Sequence, residues 1–201
     1  MLTKKNQIND DQQIWDKFRS GDDKSYTYFY KKYVMDLFSY GLHFTPNREL
    51  VKDCIQDVFV KIYCNRSKLS TTDNVKLYLF IALKNTLFNV FQKDNADYHI
   101  DTLEPVFTIE FSIEDKLIRE EVEEEQSYQI DQMLETLTPR QKEVVYYRYI
   151  EGMEMREVCL LMNMNYQSVQ NLIQRSFKKI RTVFPSKKIS TLSVKNRSRC
   201  V

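Results

Sequence analysis

A set of hydrogen-bonding and cationic side chains recurs along one predicted helix, between residues 166 and 183. Its members are Gln167, Ser168, Gln170, Asn171, Gln174, Arg175 and Lys178. Amide side chains can pair with adenine edges, arginine with guanine edges, and lysine with phosphate oxygens. This composition indicates a helix that binds the major groove of DNA, with the solvated face of an ordinary helical bundle as the alternative.

The opposite side of the same segment is apolar at spacings of three and four residues. Val169, Leu172, Ile173, Ser176, Ile180 and Val183 are predicted to face inward. Asn165 precedes the segment and is a favoured N-cap residue. The pattern therefore predicts one helix over residues 166–183 with an inner and an outer face.

Two shorter helices are predicted before this one. Residues 139–150 start with Thr138, Pro139 and Gln141, which fit a capping box with proline at the first helical position. Residues 154–162 form the next predicted helix, with Met155, Val158, Cys159 and Met162 on one face. Asn163 then falls where a tight turn needs a left-handed residue, a conformation that asparagine tolerates. Together these segments predict a helix-turn-helix over residues 154–182.

Charge is strongly segregated although the formal net charge is only +2. Residues 94–126 hold twelve acidic and two basic residues, a balance of −10, so the rest of the chain is +12. No acidic residue follows Glu157, whereas nine lysines and arginines do. A basic block of this kind is typical of nucleic-acid binding, although residues 185–201 alone are predicted to be a solvated, disordered basic tail.

The first part of the chain predicts a helical lobe over residues 10–93. Residues 11–20 place Ile14, Trp15 and Phe18 on one face, and further helices are predicted over residues 23–43, 48–64 and 74–93. The helix over residues 23–43 is expected to supply core side chains: Tyr26, Phe29, Tyr30, Tyr33, Leu37 and Tyr40. The fold class is therefore all-α, with this lobe joined by an acidic linker (residues 94–126) to a second helical lobe (residues 127–184).

The helix predicted over residues 48–64 also has two distinct faces. Ile55, Val58, Phe59 and Ile62 form an inward stripe, and the opposite side carries Asp53, Gln56, Asp57 and Lys61. The helix over residues 74–93 is apolar around most of its circumference, with one polar stripe of Tyr78, Ala82, Asn85, Asn89 and Gln92. Either polar face could be merely solvated or could bind a partner.

Composition argues against several other classes of protein. The four cysteines are widely spaced, which indicates neither a zinc site nor a disulfide framework and predicts reduced, mostly buried thiols. Only two histidines and three glycines occur, and neither a metal-spaced cluster nor a phosphate loop is present. We therefore expect no catalysis, metal or cofactor. The sequence also has no membrane-spanning apolar run and no apolar signal-peptide core near its start, which predicts a cytoplasmic protein.

Two segments resemble the extracytoplasmic-function sigma factors of bacterial RNA polymerase. LETLTPRQKEVVYYRYIEGMEMREVCLLMNMNYQSVQNLIQRSFKKIR is similar to their region 4 promoter-binding domain. LVKDCIQDVFVKIY, with the later KLYLFIALKNTLFNVFQK, is similar to their region 2 domain. The resemblance covers most of residues 10–184, and it implies a region 2-like lobe, a linker and a region 4-like lobe in that order.

The resemblance also implies partners. Asp53, Gln56, Asp57 and Lys61 would contact the clamp helices in the largest subunit of core RNA polymerase. Lys76, Tyr78, Asn85, Asn89 and Lys93, with the loop at 65–73, would bind the melted minus-ten element of promoter DNA, and Lys84 is a further expected phosphate contact. The helix at 166–183 would bind the minus-thirty-five element. A separate anti-sigma factor is an implied partner, and the linker is either a nucleic-acid mimic inside polymerase or a spacer.

A stand-alone helix-turn-helix regulator of duplex DNA is the alternative. The first lobe distinguishes the two hypotheses, because a regulator would need a ligand pocket or a dimerisation helix there. Some positions depart from the family pattern. Glu154 replaces a frequent serine, Asn163 a frequent glycine, and Gln170 and Leu172 frequent basic residues, so the last helix is less basic than usual.

Overall fold

The computed structural model describes residues 3–98, 106–109 and 129–184, and the side chains within them from residue 10 to 93 and in the two later ranges. All regular secondary structure in these ranges is helical, as predicted. The chain divides into two compact units, Met1–Phe107 and Thr108–Val201. No helix in the described part of the chain is long and apolar enough to cross a membrane.

The first unit is a bundle of four helices and a short 3-10 turn. The helices are α1 (Thr3–Arg19), α2 (Asp23–Leu42), α3 (Arg48–Cys64) and α4 (Val75–Tyr98), with the 3-10 turn at Arg66–Lys68. The helix predicted over 11–20 begins eight residues too late, because the polar residues before it have no apolar periodicity although they form helix readily. The helix predicted over 74–93 likewise continues to Tyr98.

Aromatic side chains from α1 and α2 form much of this unit's core. Trp15 is fully buried, and its ring centroid lies 5.4 Å from that of Phe18 and 5.6 Å from that of Phe29. Such tilted and edge-on ring pairs add to the free energy gained from burying apolar area. The expected burial of Tyr30 is wrong, because its side chain is 39% exposed while its ring lies over Phe59. Ile14 is only half-buried, since it lies at the edge of its face.

A buried carboxylate ties α1 to α2. Asp11 is 7% exposed and accepts hydrogen bonds from Lys32 Nζ at 2.6 and 2.7 Å, from Tyr28 at 2.9 Å, and from the Tyr33 hydroxyl. Burial and the neighbouring carboxylate raise the pKa of Tyr33 far above its ordinary value, so the phenol stays protonated and donates. A charged group is tolerated here because it is paired and fully hydrogen-bonded.

The second unit contains the predicted order of helices. Residues 129–135 are helical (α5), followed by α6 (Pro139–Val145), a π-helical turn (Tyr146–Ile150), α7 (Met155–Met162) and α8 (Tyr166–Val183). The capping box is confirmed, because Thr138 Oγ1 accepts from Gln141 N and Gln141 Oε1 accepts from Thr138 N. A single α-helix over 139–150 is wrong, since its last five residues widen into the π turn.

One side chain from the predicted linker packs in the first unit. Phe107 is 2% exposed, and its ring centroid lies 5.2 Å from that of His43 and 5.1 Å from that of Phe44. Most of the predicted linker and all of the tail at 185–201 lie outside the described residues. Cys54 is buried and Cys159 half-buried, as expected, whereas Cys64 is exposed because it lies on the outer face of α3.

Candidate nucleic-acid interface

The turn between α7 and α8 has the predicted conformation. Asn163 is left-handed, with φ 50° and ψ 49°, and no other non-glycine residue in the described ranges has a positive φ. Asn165 caps α8 by accepting a hydrogen bond from the Ser168 N–H at 2.8 Å. These two asparagines reverse the chain within three residues, which fixes the direction of α8 relative to α7.

A polar network that runs from the exposed Arg140 to the buried Glu143 supports the turn. Arg140 in α6 donates to the carbonyl of Met162 at 2.5 Å and pairs with Glu143 at 3.2 Å. Glu143 is 4% exposed and also accepts from the Tyr147 hydroxyl at 2.9 Å. Because Met162 ends α7, the network links the start of α6 to the end of α7, and the turn is held at a fixed position.

The inner face of α8 matches the prediction over most of its length. Val169 and Ser176 are fully buried, and the Ser176 hydroxyl donates to the Leu172 carbonyl at 2.8 Å. Ile180 is buried, and Leu172 and Ile173 are half-buried. Val183 is 51% exposed, so its predicted inward position is wrong. It falls at the last residue of the helix, where the apolar period continues but the burial does not.

The outer face of α8 carries most of the predicted polar set. Gln167, Asn171, Gln174, Arg175 and Lys178 are exposed, and Ser168 and Gln170 are half-buried at the border of the face. The Gln167 side chain donates to Asn171 Oδ1 at 3.0 Å, which keeps both amides at the surface one turn apart. The face therefore presents donors, acceptors and cations together, the combination that reads base edges and phosphates.

Several exposed residues of α8 lie outside the predicted polar set. Tyr166, the first residue of the helix, is 55% exposed, and Lys179 and Arg181 are exposed near its end. Residues near the N-terminus of a recognition helix contact base edges, so Tyr166 adds an aromatic side chain to that end. The N-cap at Asn165 was the available signal, because it makes Tyr166 the first helical residue.

The predicted face of α3 is open to solvent. Asp53, Gln56, Asp57 and Lys61 are exposed, and the predicted inner stripe of Ile55, Val58, Phe59 and Ile62 is buried. Val60, which was not predicted, is 56% exposed among them. Val60 lies three residues after Asp57 and four after Gln56, a spacing that places it on the same helix face as these two residues. The exposed face of α3 thus combines one apolar side chain with charged and amide groups.

The candidate minus-ten residues on α4 form two groups. Asn85, Asn89 and Lys93 are exposed and follow one side of the helix. Lys76 and Tyr78 are half-buried nearer its start. Lys76 pairs with Asp36 at 3.0 Å, and burial raises the pKa of the Tyr78 phenol, which therefore stays a hydrogen-bond donor.

Lys84 lies apart from both groups. Lys84 is 8% exposed, and its ammonium lies 5.5 Å from the ring centroid of Phe88. A buried ammonium over an aromatic face stabilises the helix packing and cannot reach a bound strand. The structure therefore removes Lys84 from the candidate phosphate contacts.

No group of three or more histidine, cysteine, aspartate or glutamate residues within the described ranges is placed to hold a metal ion. A shallow groove on α8 is lined by a mixture of apolar, polar and basic residues: Ile173, Gln174, Phe177, Lys178, Arg181 and Thr182.

Known proteins match both the second unit and the whole fold. Residues 127–180 match the family described as Sigma-70, region 4. The structure of CnrH in complex with the cytosolic domain of CnrY is similar with a TM-score of 0.56 and 16% identity, over 89% of this chain and 99% of that chain. No curated protein sequence matches.

A second similar structure is that of the sigma factor RpoE from Bartonella quintana in complex with the anti-sigma factor NepR. Its TM-score is 0.55 with 12% identity, over 80% of this chain and 98% of that chain. The likeness therefore extends over both units and not only over the helix-turn-helix. Residues 127–180 thus match the Sigma-70 region 4 family, and the fold of the chain is similar to that of both solved structures.

Proposed function

We propose that this chain binds core RNA polymerase in the cytoplasm, recognises the minus-thirty-five and minus-ten elements of a promoter, and promotes DNA melting. The observation that carries the proposal is the outer face of α8, with exposed amides and cations on a helix held by a left-handed turn. Neither an active-site cluster nor a cofactor is part of the proposal.

For the minus-thirty-five element, α8 enters the major groove with its N-terminal half toward the bases. Gln167, Asn171 and Gln174 supply paired donors and acceptors, and Arg175 can bond guanine in bidentate fashion. Lys178 lies one turn further on and suits a phosphate. Ser168 and Gln170, at the border of the face, take the flanking contacts.

For the minus-ten element, the exposed side of α4 binds one melted strand. Asn85 and Asn89 lie one turn apart and offer amides to unpaired bases, and Lys93 continues the line as a phosphate contact. Tyr78 provides a half-buried ring with a protonated hydroxyl beside the loop at 65–73. Lys76, held by Asp36, adds a cation at that end.

For core polymerase, α3 provides the contact. Asp53, Gln56, Asp57 and Lys61 are exposed on the same helix as the exposed Val60. Charged residues at the rim set orientation and association rate, whereas an apolar centre contributes most of the affinity. The proposed partner surface is the clamp helices of the largest polymerase subunit.

A separate anti-sigma factor is a further proposed partner. The RpoE structure is a complex with the anti-sigma factor NepR. In this chain, apolar side chains remain exposed in each unit, including Val60 in the first and Tyr149, Ile150 and Leu160 in the second. Surfaces of this kind favour regulation by a protein that covers them.

The proposal is tested by mixing the full chain with a cognate core polymerase, followed by size-exclusion chromatography and run-off transcription. We expect co-elution and promoter-dependent transcripts, both reduced by Asp57→Arg on the proposed contact face. Lys31→Glu, which reverses an exposed charge on α2, is the matched control and should leave both unchanged. Tight binding of duplex DNA without any association with core would instead favour a stand-alone regulator.

A further inference from the structure

Helix α1 contacts the loop at residues 65–73, which includes the 3-10 turn and leads into α4. The loop at 65–73 precedes α4 directly and belongs to the proposed minus-ten site. Two side chains on one face of α1, four residues apart, reach it from the core side: Trp15 and Arg19. The sequence pattern predicts Trp15 on an apolar face and indicates no polar contact for either residue.

Both contacts end on the loop backbone. Trp15 Nε1 donates to the carbonyl of Ser70 at 3.0 Å, and Arg19 Nε donates to the carbonyl of Leu69 at 2.6 Å. The bonds thus hold two consecutive peptide groups, whichever side chains the loop carries. Arg19 also pairs with Asp16 at 3.0 Å, which orients its guanidinium on the helix.

Most polar side chains of the loop are exposed to solvent. Ser67, Lys68, Ser70, Thr71 and Asp73 are all exposed. A loop whose backbone is fixed while its polar side chains face solvent can present a specific set of donors and acceptors to a ligand. Holding such groups in place before binding reduces the entropy lost when the ligand binds.

The same tryptophan reaches the other part of the proposed site. The Trp15 ring is fully buried, and its centroid lies 5.2 Å from that of Tyr78 on α4. Trp15 therefore touches both the loop and a candidate strand-binding residue. A shift of α1 would move the two together.

We propose that Trp15 and Arg19 are positioning residues for minus-ten recognition, which fix the backbone of loop 65–73 so that its side chains select a base. The inference rests on the proposed sigma function for the identity of the ligand. That Trp15 and Arg19 fix the loop backbone does not depend on the proposed function, and it can be measured in the free chain.

The first test is hydrogen exchange of the free full chain. The Lys68 and Leu69 amides donate to Asn65 and Arg66 at 2.8 and 3.3 Å, and their exchange reports the order of the loop. Arg19→Met should speed exchange in residues 66–73 by about fivefold, the equivalent of one ordinary hydrogen bond. Lys17→Met, an exposed lysine on the same helix, should not. Equal exchange in the two variants would overturn the positioning role even if the chain proved not to be a sigma factor.

The second test uses holoenzyme and a promoter library randomised in the minus-ten element, with a fixed minus-thirty-five element. Arg19→Met should reduce the preference for one or two minus-ten bases by about fivefold, with unchanged core association. A uniform decrease on all promoters would show a merely structural role and contradict the proposal. Failure of the wild-type chain to associate with core polymerase would contradict the proposed function itself.

A third variant separates the tryptophan hydrogen bond from its packing. Trp15→Phe retains a ring in the core but removes the Nε1–H donor. Phe18→Leu perturbs the same aromatic cluster without touching a loop carbonyl. We expect Trp15→Phe to alter the minus-ten base preference. Phe18→Leu, compared at an equal folded fraction, should leave that preference unaltered. Identical base preferences for the two variants would refute the proposal.

Discussion

Arg175 and Lys178 both lie on the exposed face of α8, but the two cations suit different targets. A guanidinium has a planar fork that matches two acceptors on one guanine, whereas an ammonium acts as a point charge toward phosphate. The two residues can therefore be separated by the sequence dependence of binding.

We predict that Arg175→Ala costs about 1–3 kcal/mol of binding and relaxes one minus-thirty-five position, because a single base contact is lost. Lys178→Ala should weaken binding by a similar factor on all sequences and reduce the salt slope by about one, because one phosphate contact is lost. Binding of holoenzyme to a set of single-base promoter variants at several salt concentrations measures both effects. Equal losses on every sequence for Arg175→Ala would make that residue a phosphate contact.

The cysteines provide a second prediction at this scale. Burial raises the pKa of the Cys54 thiol, which keeps it protonated and unreactive, while Cys64 is exposed at the end of the proposed polymerase contact face. A thiol reagent at pH 8 should therefore modify Cys64 well before Cys54, as read by peptide mass spectrometry. Core polymerase should slow the labelling of Cys64. Unchanged labelling in the holoenzyme would place the contact elsewhere on the unit.

At the scale of helices, the close approach of α2 and α3 depends on one glycine. A Cβ built on Gly41 would lie 2.5 Å from Val51 Cγ1, a distance that no ordinary packing allows. The glycine is buried within α2, where its backbone is helical, so its role is to leave space and not to adopt a special conformation. The two helices can thus pack closely at this crossing.

We expect Gly41→Ala to destabilise the first unit by about 1–3 kcal/mol through overpacking. Val51→Ala in the same chain should recover part of that loss, since it removes the methyl groups that clash. Urea unfolding followed by circular dichroism gives the free energies of the two single variants and the double variant. Additive losses would mean that the two positions do not interact.

Helix identity was predictable from sequence, and helix ends were predictable only where a cap specified them. Asn163, Asn165 and the Thr138–Gln141 box were correct because a capping side chain acts within three residues of the backbone that it satisfies. Val183 was wrong because its period continues past the point where neighbouring helices cover α8. Tyr30 was wrong because a large ring can pack along one edge and still expose the other.

Contacts between distant segments could not be predicted in this way. Trp15 and Arg19 reach backbone carbonyls about fifty residues away, and a backbone carbonyl carries no sequence signal. Phe107 lies in an acidic stretch without periodicity, so its burial against His43 and Phe44 had no local indication. The candidate DNA face, by contrast, lies on a single helix, so the exposure of most of its residues could be predicted from their spacing.

At the scale of the whole molecule, Phe107 defines how far the first unit extends into the connecting segment. Phe107→Ser should cost the first unit about 3 kcal/mol or more, because a nearly fully buried ring is lost. Its neighbour Val106 is 55% exposed, and Val106→Ser should change stability by less than about 0.5 kcal/mol. Urea unfolding of the full chain compares the two. Similar stabilities would mean that Phe107 does not belong to the packed unit in solution.

Trp15 is the only tryptophan in the sequence, and it lies between the loop at 65–73 and Tyr78. Light near 295 nm would therefore excite one indole, whose emission depends on the hydrogen bond to Ser70 and on the dry aromatic surroundings. Any ligand that displaces the loop or rotates Tyr78 should shift that emission without an attached dye. Under the proposed function, binding of a single-stranded minus-ten oligonucleotide to the free, unlabelled chain could therefore be followed by its intrinsic fluorescence.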